Sequence, residues 1–245
     1  MHIENKRIVT VTMALLLMGS MVVVAKEAAR LVASGQLSKD RAKVVVIDAG
    51  HGADDGGKVG VNNVLEKDIN LAIACKVKDL LERQDITVIM TREDDDGGYP
   101  KTGSDRKLRD MQNRVERINK ERPALTVSIH QNSFPDPKIS GAQTFFYDGS
   151  KTGRYAAELL QAQLIRTLQP QKERVAKSND SYYLLKYSEC PIVIVECGFL
   201  SNPAEAEMLC DDAYQQKVAW AVHLGILQFL NTGGNKADEM DENPH

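Results

Sequence analysis

Apolar residues along the chain recur at two spacings. Short runs at 44–47, 86–90, 125–129, 141–147 and 192–195 are rich in β-branched or aromatic residues and are bounded by turn formers, which predicts strands. Between them the apolar positions recur every three or four residues. Ile69, Ile73, Val77, Leu80 and Leu81 predict an amphipathic helix over 65–84, and Val218, Ala221, Val222, Ile226 and Phe229 predict another over 213–230. Further helices are expected over 107–122 and 153–168, with a short one opened by Pro203 and ending near Cys210. The polar stretches 36–43, 92–105 and 170–179 read as a linker, an exposed loop and a connection. Strands alternating with helices predict an α/β fold: a single domain built on a largely parallel twisted sheet with helices on both faces. No internal repeat is present.

Three of the strand runs end alike. The run at 44–47 leads to His51, the run at 125–129 leads directly to His130, and the run at 192–195 leads directly to Glu196. Ligands in open α/β sheets sit outside the carboxyl ends of the strands, so these three residues are expected to share one crevice. The stretch from Val44 to Glu66 reads as a metal-site hairpin, with a glycine-rich loop that swings back to bring Glu66 beside His51. That loop lacks the spacing of a phosphate cradle, and Asp54 and Asp55 would repel phosphate. Each histidine alone reads as a satisfied polar residue near the core. Together with Glu66, His51 and His130 look like a zinc set, because zinc takes imidazole nitrogen and carboxylate oxygen and a catalytic site keeps one position open. His223, on the last helix, reads as a partly buried or surface residue.

Composition narrows this picture. The 245 residues, 42% hydrophobic, suffice for a core, which excludes disorder throughout. A formal net charge of −3 gives no broad basic field, so no nucleic acid is expected as a partner. Lys6 and Arg7 precede an apolar stretch over 8–25, the layout of a signal peptide or membrane anchor at 1–25. A linker over 26–42, a catalytic domain over 43–231 and a disordered acidic tail over 232–245 complete the expected organisation. An exported, extracytoplasmic protein follows, membrane-associated if the leader stays uncleaved. Cys75, Cys190, Cys197 and Cys210 show no paired spacing, so no obligatory disulfide and no cysteine zinc site are expected, and Cys197 reads as packing.

A family likeness now stands out. Ile47-Asp-Ala-Gly-His-Gly52, Glu66-Lys-Asp-Ile-Asn-Leu71, Thr91-Arg92, Arg114 with Ile118-Asn119, Ser128-Ile-His-Gln-Asn132 and Val195-Glu-Cys-Gly-Phe-Leu-Ser-Asn202 resemble the zinc-dependent N-acetylmuramoyl-L-alanine amidases of the amidase 3 type. The likeness runs from about Lys43 to Leu230. It departs from the family at Ala49, usually Pro, and at Gln131, usually Ala. The resemblance implies His51, Glu66 and His130 as ligands of Zn2+ and Glu196 as the catalytic glutamate. It implies peptidoglycan as substrate, cut at the amide between the lactyl group of muramic acid and the first L-alanine of the stem peptide. Glu196 would take a proton from the metal-activated water and deliver it to the leaving amine.

Structural alternatives for Glu196 are a helix cap or an ion pair with Arg92 or Arg114. Asn132, Arg92 and Arg114 are candidates for supporting or substrate-contacting roles, and Asp48 for fixing the loop. With no long insertion between His130 and Glu196 and no wall-binding repeats, targeting must come from the leader, the crevice or an activating partner protein. This compact architecture resembles the spore-germination type, which helps make muramic lactam in spore cortex. The competing readings are a zinc carboxypeptidase acting on stem peptides and a non-catalytic wall-binding protein.

Overall fold

The computed structural model of the chain describes residues 13, 18–26, 30, 44–95 and 105–241. The chain divides into two units, Met1–Ala42 and Lys43–His245. Of the first, 18–26 is helical; most of the expected leader and nearly all of the expected linker lie outside the described residues. Among the described residues no helix is long and apolar enough to cross a membrane.

The second unit alternates strand and helix. In chain order it comprises β1 (Val44–Ala49), α1 (Glu66–Glu82), β2 (Thr87–Met90), α2 (Arg106–Glu121), β3 (Leu125–Asn132), β4 (Gln143–Phe146), α3 (Lys151–Leu168), β5 (Lys177–Ser178), α4 (Tyr183–Tyr187), β6 (Ile192–Phe199), α5 (Pro203–Cys210) and α6 (Asp212–Asp241). The sheet order is β2-β1-β3-β6-β4-β5. The first four of these strands pair in parallel, whereas β4 runs antiparallel to β6. The expected largely parallel sheet is therefore present, with one reversal on its β4 side.

Strand alternation separates two cores. Val45, Ile47, Ala49, Leu125, Val127, Ile129, Val193, Val195 and Cys197 pack against the apolar stripes of α1, α3 and α6. The opposite side carries Val46, Phe145, Ile192 and Ile194, whose buried partners are Val115 and Ile118 of α2 and Leu184 and Leu185 of α4, with Met111, Tyr182 and Tyr183 packed half-buried beside them. The helix α2 is charged along most of its length and offers a narrow apolar stripe, so its cover is thin. Ends are set locally. Ser150 caps α3 by accepting from Gly153 N, and Asn202 caps α5 by accepting from Glu205 N, with Pro203 in the first turn.

Several expectations are corrected. Both β3 and β6 continue through the polar residues at which their apolar runs stop, so His130 and Glu196 lie within strands. The stretch from Val44 to Glu66 is a strand–loop–helix unit, and its hairpin character is confined to two isolated antiparallel bridges, Gly52 with Asp55 and Val59 with Leu65. Arg92 is not exposed but buried at 3%. His223 is buried at 2% rather than lying near the surface. The connection after α3 contains β5, and α4 follows it, both too short to show a periodicity. The backbone of α6 stays helical to Asp241, beyond the end expected from its apolar face, through residues such as Lys236, Ala237 and Glu239 that favour helix.

Candidate metal centre

The parallel register places Cα partners His130 and Glu196 side by side on β3 and β6. On the other flank of β3, β1 ends at Ala49 and the chain turns into a loop in which His51 takes a positive φ of 63°. The first residue of α1, Glu66, closes the group. One donor atom from each of His51, Glu66 and His130 lies within 4.8 Å of the others. Glu66 Oε1 stands 3.0 Å from His130 Nδ1 and 3.3 Å from His51 Nε2.

Two glycines make this convergence possible. A Cβ on Gly50 would sit 2.2 Å from His130 Cε1, and one on Gly57 would sit 2.6 Å from Glu66 Oε2 and 2.8 Å from His51 Cδ2. At these points the backbone passes directly against the converging side chains, and no other residue type leaves room.

The surrounding contacts hold each group in one orientation. Asp55 Oδ2 takes His51 Nδ1 at 2.9 Å, leaving Nε2 turned to Glu66. Glu66 accepts the backbone N–H of Lys58 at 2.8 Å and of Gln131 at 3.1 Å, and the side-chain amide of Asn70 at 3.3 Å. Burial alone would raise Glu66, but the two imidazoles outweigh it and hold the carboxyl far below the usual range. Burial alone would lower His51, yet Asp55 and Glu66 together raise it to about 9. The net field at the centre thus favours positive charge.

The loop is clamped by two arginines. Arg92 Nε donates to Ala49 O at 2.9 Å, and its Nη2 donates to Gly50 O at 3.2 Å and Lys67 O at 2.7 Å. Arg114 donates to Ala49 O at 2.7 Å and to His51 O at 2.5 Å, and it pairs with Asp48 and Asp110. Asp48 is fully buried and also accepts from Thr91 and Ser128. Burial opposes its ionisation, but Arg114 and the two hydroxyls hold the carboxyl at about 2. Both arginines are thereby committed to the loop, and neither pairs with Glu196.

Glu196 is 7% exposed. Its Oε1 accepts from the Tyr182 hydroxyl at 3.4 Å, and its buried Oε2 has no hydrogen-bond partner among the described residues. Burial chiefly, with Glu66 nearby, pushes it up to about 7 against the opposing pull of His130. It lines an open cleft together with His51, His130, Asp48, Arg114 and Tyr182. A carboxyl that exchanges its proton near neutrality, with a free oxygen beside three groups that could hold a metal ion, can act as a general base and then as an acid.

His51, Glu66, His130 and Glu196 are therefore brought together. Asn132 is not among them: its side chain accepts from Ser133 N, beyond a register shift between His130 and Asn132. Supporting residues that sequence reasoning missed are Asp55, Asn70, Gln131 and Tyr182. Two had a signal, since Asp55 follows His51 and Asn70 follows Glu66 by four residues, a spacing at which side chains can meet. Gln131 and Tyr182 had none. Cys197 is buried in the larger core, where burial raises its thiol far above the usual range, as its packing role requires.

Comparisons with known proteins converge on one family. The N-acetylmuramoyl-L-alanine amidase family matches residues 45–228. The germination-specific N-acetylmuramoyl-L-alanine amidase of Bacillus subtilis is 41% identical over 196 residues, 79% of this chain and 82% of that protein. The CwlD amidase of Clostridioides difficile, solved in complex with the GerS lipoprotein, superposes with a TM-score of 0.74 at 39% identity. That match covers 77% of this chain and 98% of the CwlD chain. The AmiC2 amidase of Nostoc punctiforme gives a TM-score of 0.68 at 30% identity, covering 78% of this chain and 98% of that one.

Proposed function

The chain belongs to the N-acetylmuramoyl-L-alanine amidase family, and we propose that it performs this reaction with zinc held by His51, Glu66 and His130 and with Glu196 as proton carrier. The reaction is hydrolysis of the peptidoglycan amide between the lactyl group of N-acetylmuramic acid and the L-alanine of the stem. Membership of this family displaces the carboxypeptidase and wall-binding readings. Because peptidoglycan is the substrate, the enzyme acts outside the cytoplasm.

Two imidazole nitrogens and one carboxylate oxygen, gathered in a field that favours cations, fit a catalytic zinc with an open position. Bound there, the ion would supply a Lewis acid for the amide carbonyl and acidify the attacking water. The residues of the chain do the rest. Asp55 keeps His51 Nε2 turned inward, and the Lys58 and Gln131 amides fix Glu66. Glu196 Oε2 takes the proton from the attacking water and passes it to the leaving alanine nitrogen, while Tyr182 holds Oε1. Arg114 and Arg92 hold the loop and need not touch substrate.

The observation that carries this reading is the unpartnered, buried Oε2 of Glu196 in the same cleft as the His51–Glu66–His130 group. An unused buried carboxylate oxygen is costly unless the site has work for it. The test is product analysis on purified muropeptides, with and without chelator. Glu196→Gln is expected to retain zinc and release no stem peptide with free N-terminal alanine, and His130→Ala is expected to lose zinc as well. Full activity of Glu196→Gln would overturn the assignment.

We further propose a role in spore cortex with a lipoprotein-like activating partner, supported by the likeness to the Bacillus subtilis germination-specific amidase and to the GerS-bound CwlD. Expression in Bacillus subtilis lacking its own germination-specific amidase is expected to restore muramic lactam to the cortex. Complementation of vegetative wall turnover alone would reject this role.

A further inference from the structure

Two unlike elements line the cleft: α2 presents Lys107, Asp110 and Arg114, and the α4 segment presents Tyr182, Tyr183 and Leu184. On α2, Arg114 and Asp110 are bonded to each other, and Arg114 also holds the loop. Lys107 remains 66% exposed in its side chain, with Nζ 3.5 Å from Asp55 Oδ2. On the α4 segment, Tyr182 is committed to Glu196 and to the edge of Phe145, with ring centroids 5.6 Å apart.

Tyr183 is different. Its ring meets that of Tyr187 one turn later, with centroids 4.4 Å apart and planes at 41°, and Tyr187 is 49% exposed. These two rings form a ledge running out of the cleft along α4. The ledge is held firmly although the helix is short. Asn179 Oδ1 accepts from Ser181 N and Tyr182 N at the start of α4. At its end Asn119 donates to Tyr187 O and accepts from Glu189 N. Leu184 and Leu185 anchor the helix in the smaller core. Tyr183 is half-buried against that core and lines the cleft, whereas the exposed Tyr187 ring is not among the residues packed on either core.

We infer that the Tyr183–Tyr187 ledge is a glycan subsite, receiving the sugar next to the muramic acid whose amide is cut. The strand then leaves the cleft over α4, and the stem peptide leaves over α2 beside Lys107. This rests on the peptidoglycan amidase reading of the cleft. The chemistry of the substrate decides the direction. The lactyl carboxyl of muramic acid is consumed in the amide, so the glycan is uncharged and offers pyranose C–H faces that pack on aromatic rings. The stem carries free carboxylates, which suit the exposed ammonium of Lys107.

The test compares muropeptides carrying one disaccharide with those carrying a longer glycan, on the full zinc-loaded chain. Tyr183→Ala and Tyr187→Ala are expected to lower the ratio of kcat/KM between the long and short substrates by about tenfold, the scale of one lost aromatic contact. Tyr183→Phe and Tyr187→Phe should restore the ratio, since ring and fold are kept. Peptide-free glycan strands should inhibit the wild type competitively and the Ala variants far less, whereas Lys107→Ala should weaken inhibition by free stem peptide. A ratio that does not move, or a loss that follows peptide length instead of glycan length, would overturn the subsite. Wild-type cleavage of the disaccharide substrate tests the amidase reading separately.

Discussion

The two sides of the sheet are made by the same strands and do opposite work. On one side alternate residues of β1, β3 and β6 are apolar without interruption, from Val45 to Ala49, from Leu125 to Ile129 and from Val193 to Cys197, under three long helices. On the other side the same strands begin with Val46 and Ile192 and then turn polar, through Asp48, Ser128, His130 and Glu196, under the thin cover of α2 and α4. The apolar side supplies stability that the polar side does not have to provide. The centre can therefore hold buried carboxylates and an unpartnered oxygen that would weaken a protein relying on that side for its core.

The largest effects should split cleanly between the two sides. Ile129 and Glu196 lie on neighbouring strands and are both buried. Ile129→Ala is expected to cost about 2–5 kcal/mol of stability, read by denaturant unfolding, with kcat of the folded fraction little altered. Glu196→Gln should lower kcat roughly 10²–10⁴-fold and leave the unfolding midpoint unchanged or raised. Its folded pKa, about 7, lies above its ordinary 4.5, so in the metal-free protein this carboxyl costs stability as pH rises from 4.5 through 7. Removing it should flatten that slope. Equal loss of stability from both substitutions would break the comparison.

Asp48 probes the exception, a polar-side residue that is structural. Asp48→Asn leaves Arg114 buried without its charge partner and is expected to cost about 3 kcal/mol, measured by chemical denaturation. Held at about 2, below its ordinary 3.8, Asp48 adds stability that is complete above 3.8 and lost as pH falls toward 2. The Asn variant should therefore be the less acid-sensitive of the two. Gly50→Ala acts next in size. With a Cβ 2.2 Å from the His130 ring, the imidazole must move, and zinc affinity measured by competition with a chelator should fall roughly 10–100-fold.

This division also explains what the sequence made legible. His51, His130, Glu66 and Glu196 could be found because each stands where an apolar pattern gives way to a group with chemistry. That signal is local. The clamps on the loop depend on α2 and the segment after β2 folding back onto β1, whereas the composition of 92–105 reads as solvent-exposed and gives no sign that Arg92 is buried. Gln131 supports Glu66 through its backbone N–H, which no side-chain pattern reports. Both β3 and β6 outlast their apolar runs because the ladder between them continues through His130 and Glu196, where hydrogen bonding rather than hydrophobicity sustains the strand. With only five residues, α4 shows no period, although it carries the wall that faces the cleft.

His223 offers the smallest and sharpest test, because it is a polar residue on the apolar side. It is 2% exposed on α6, neither ring nitrogen has a hydrogen-bond partner among the described residues, and the Trp220 ring lies 5.1 Å away. Burial lowers its pKa below the ordinary 6.5, so the folded chain keeps it neutral. Below pH 6.5 the unfolded chain binds a proton that the fold refuses, and stability is lost as pH falls through that range. Replacing it with Leu exchanges an unsatisfied ring for an apolar group of similar bulk. The variant should be as stable as the parent at pH 7, or more stable by up to about 1 kcal/mol, and should lose less stability between pH 7 and 5. Activity at pH 7 should not change, since α6 packs behind the sheet. If His223→Leu instead destabilised the protein, the ring would have to be satisfied by a buried water, as Thr144 and Gln161 on the same side satisfy each other.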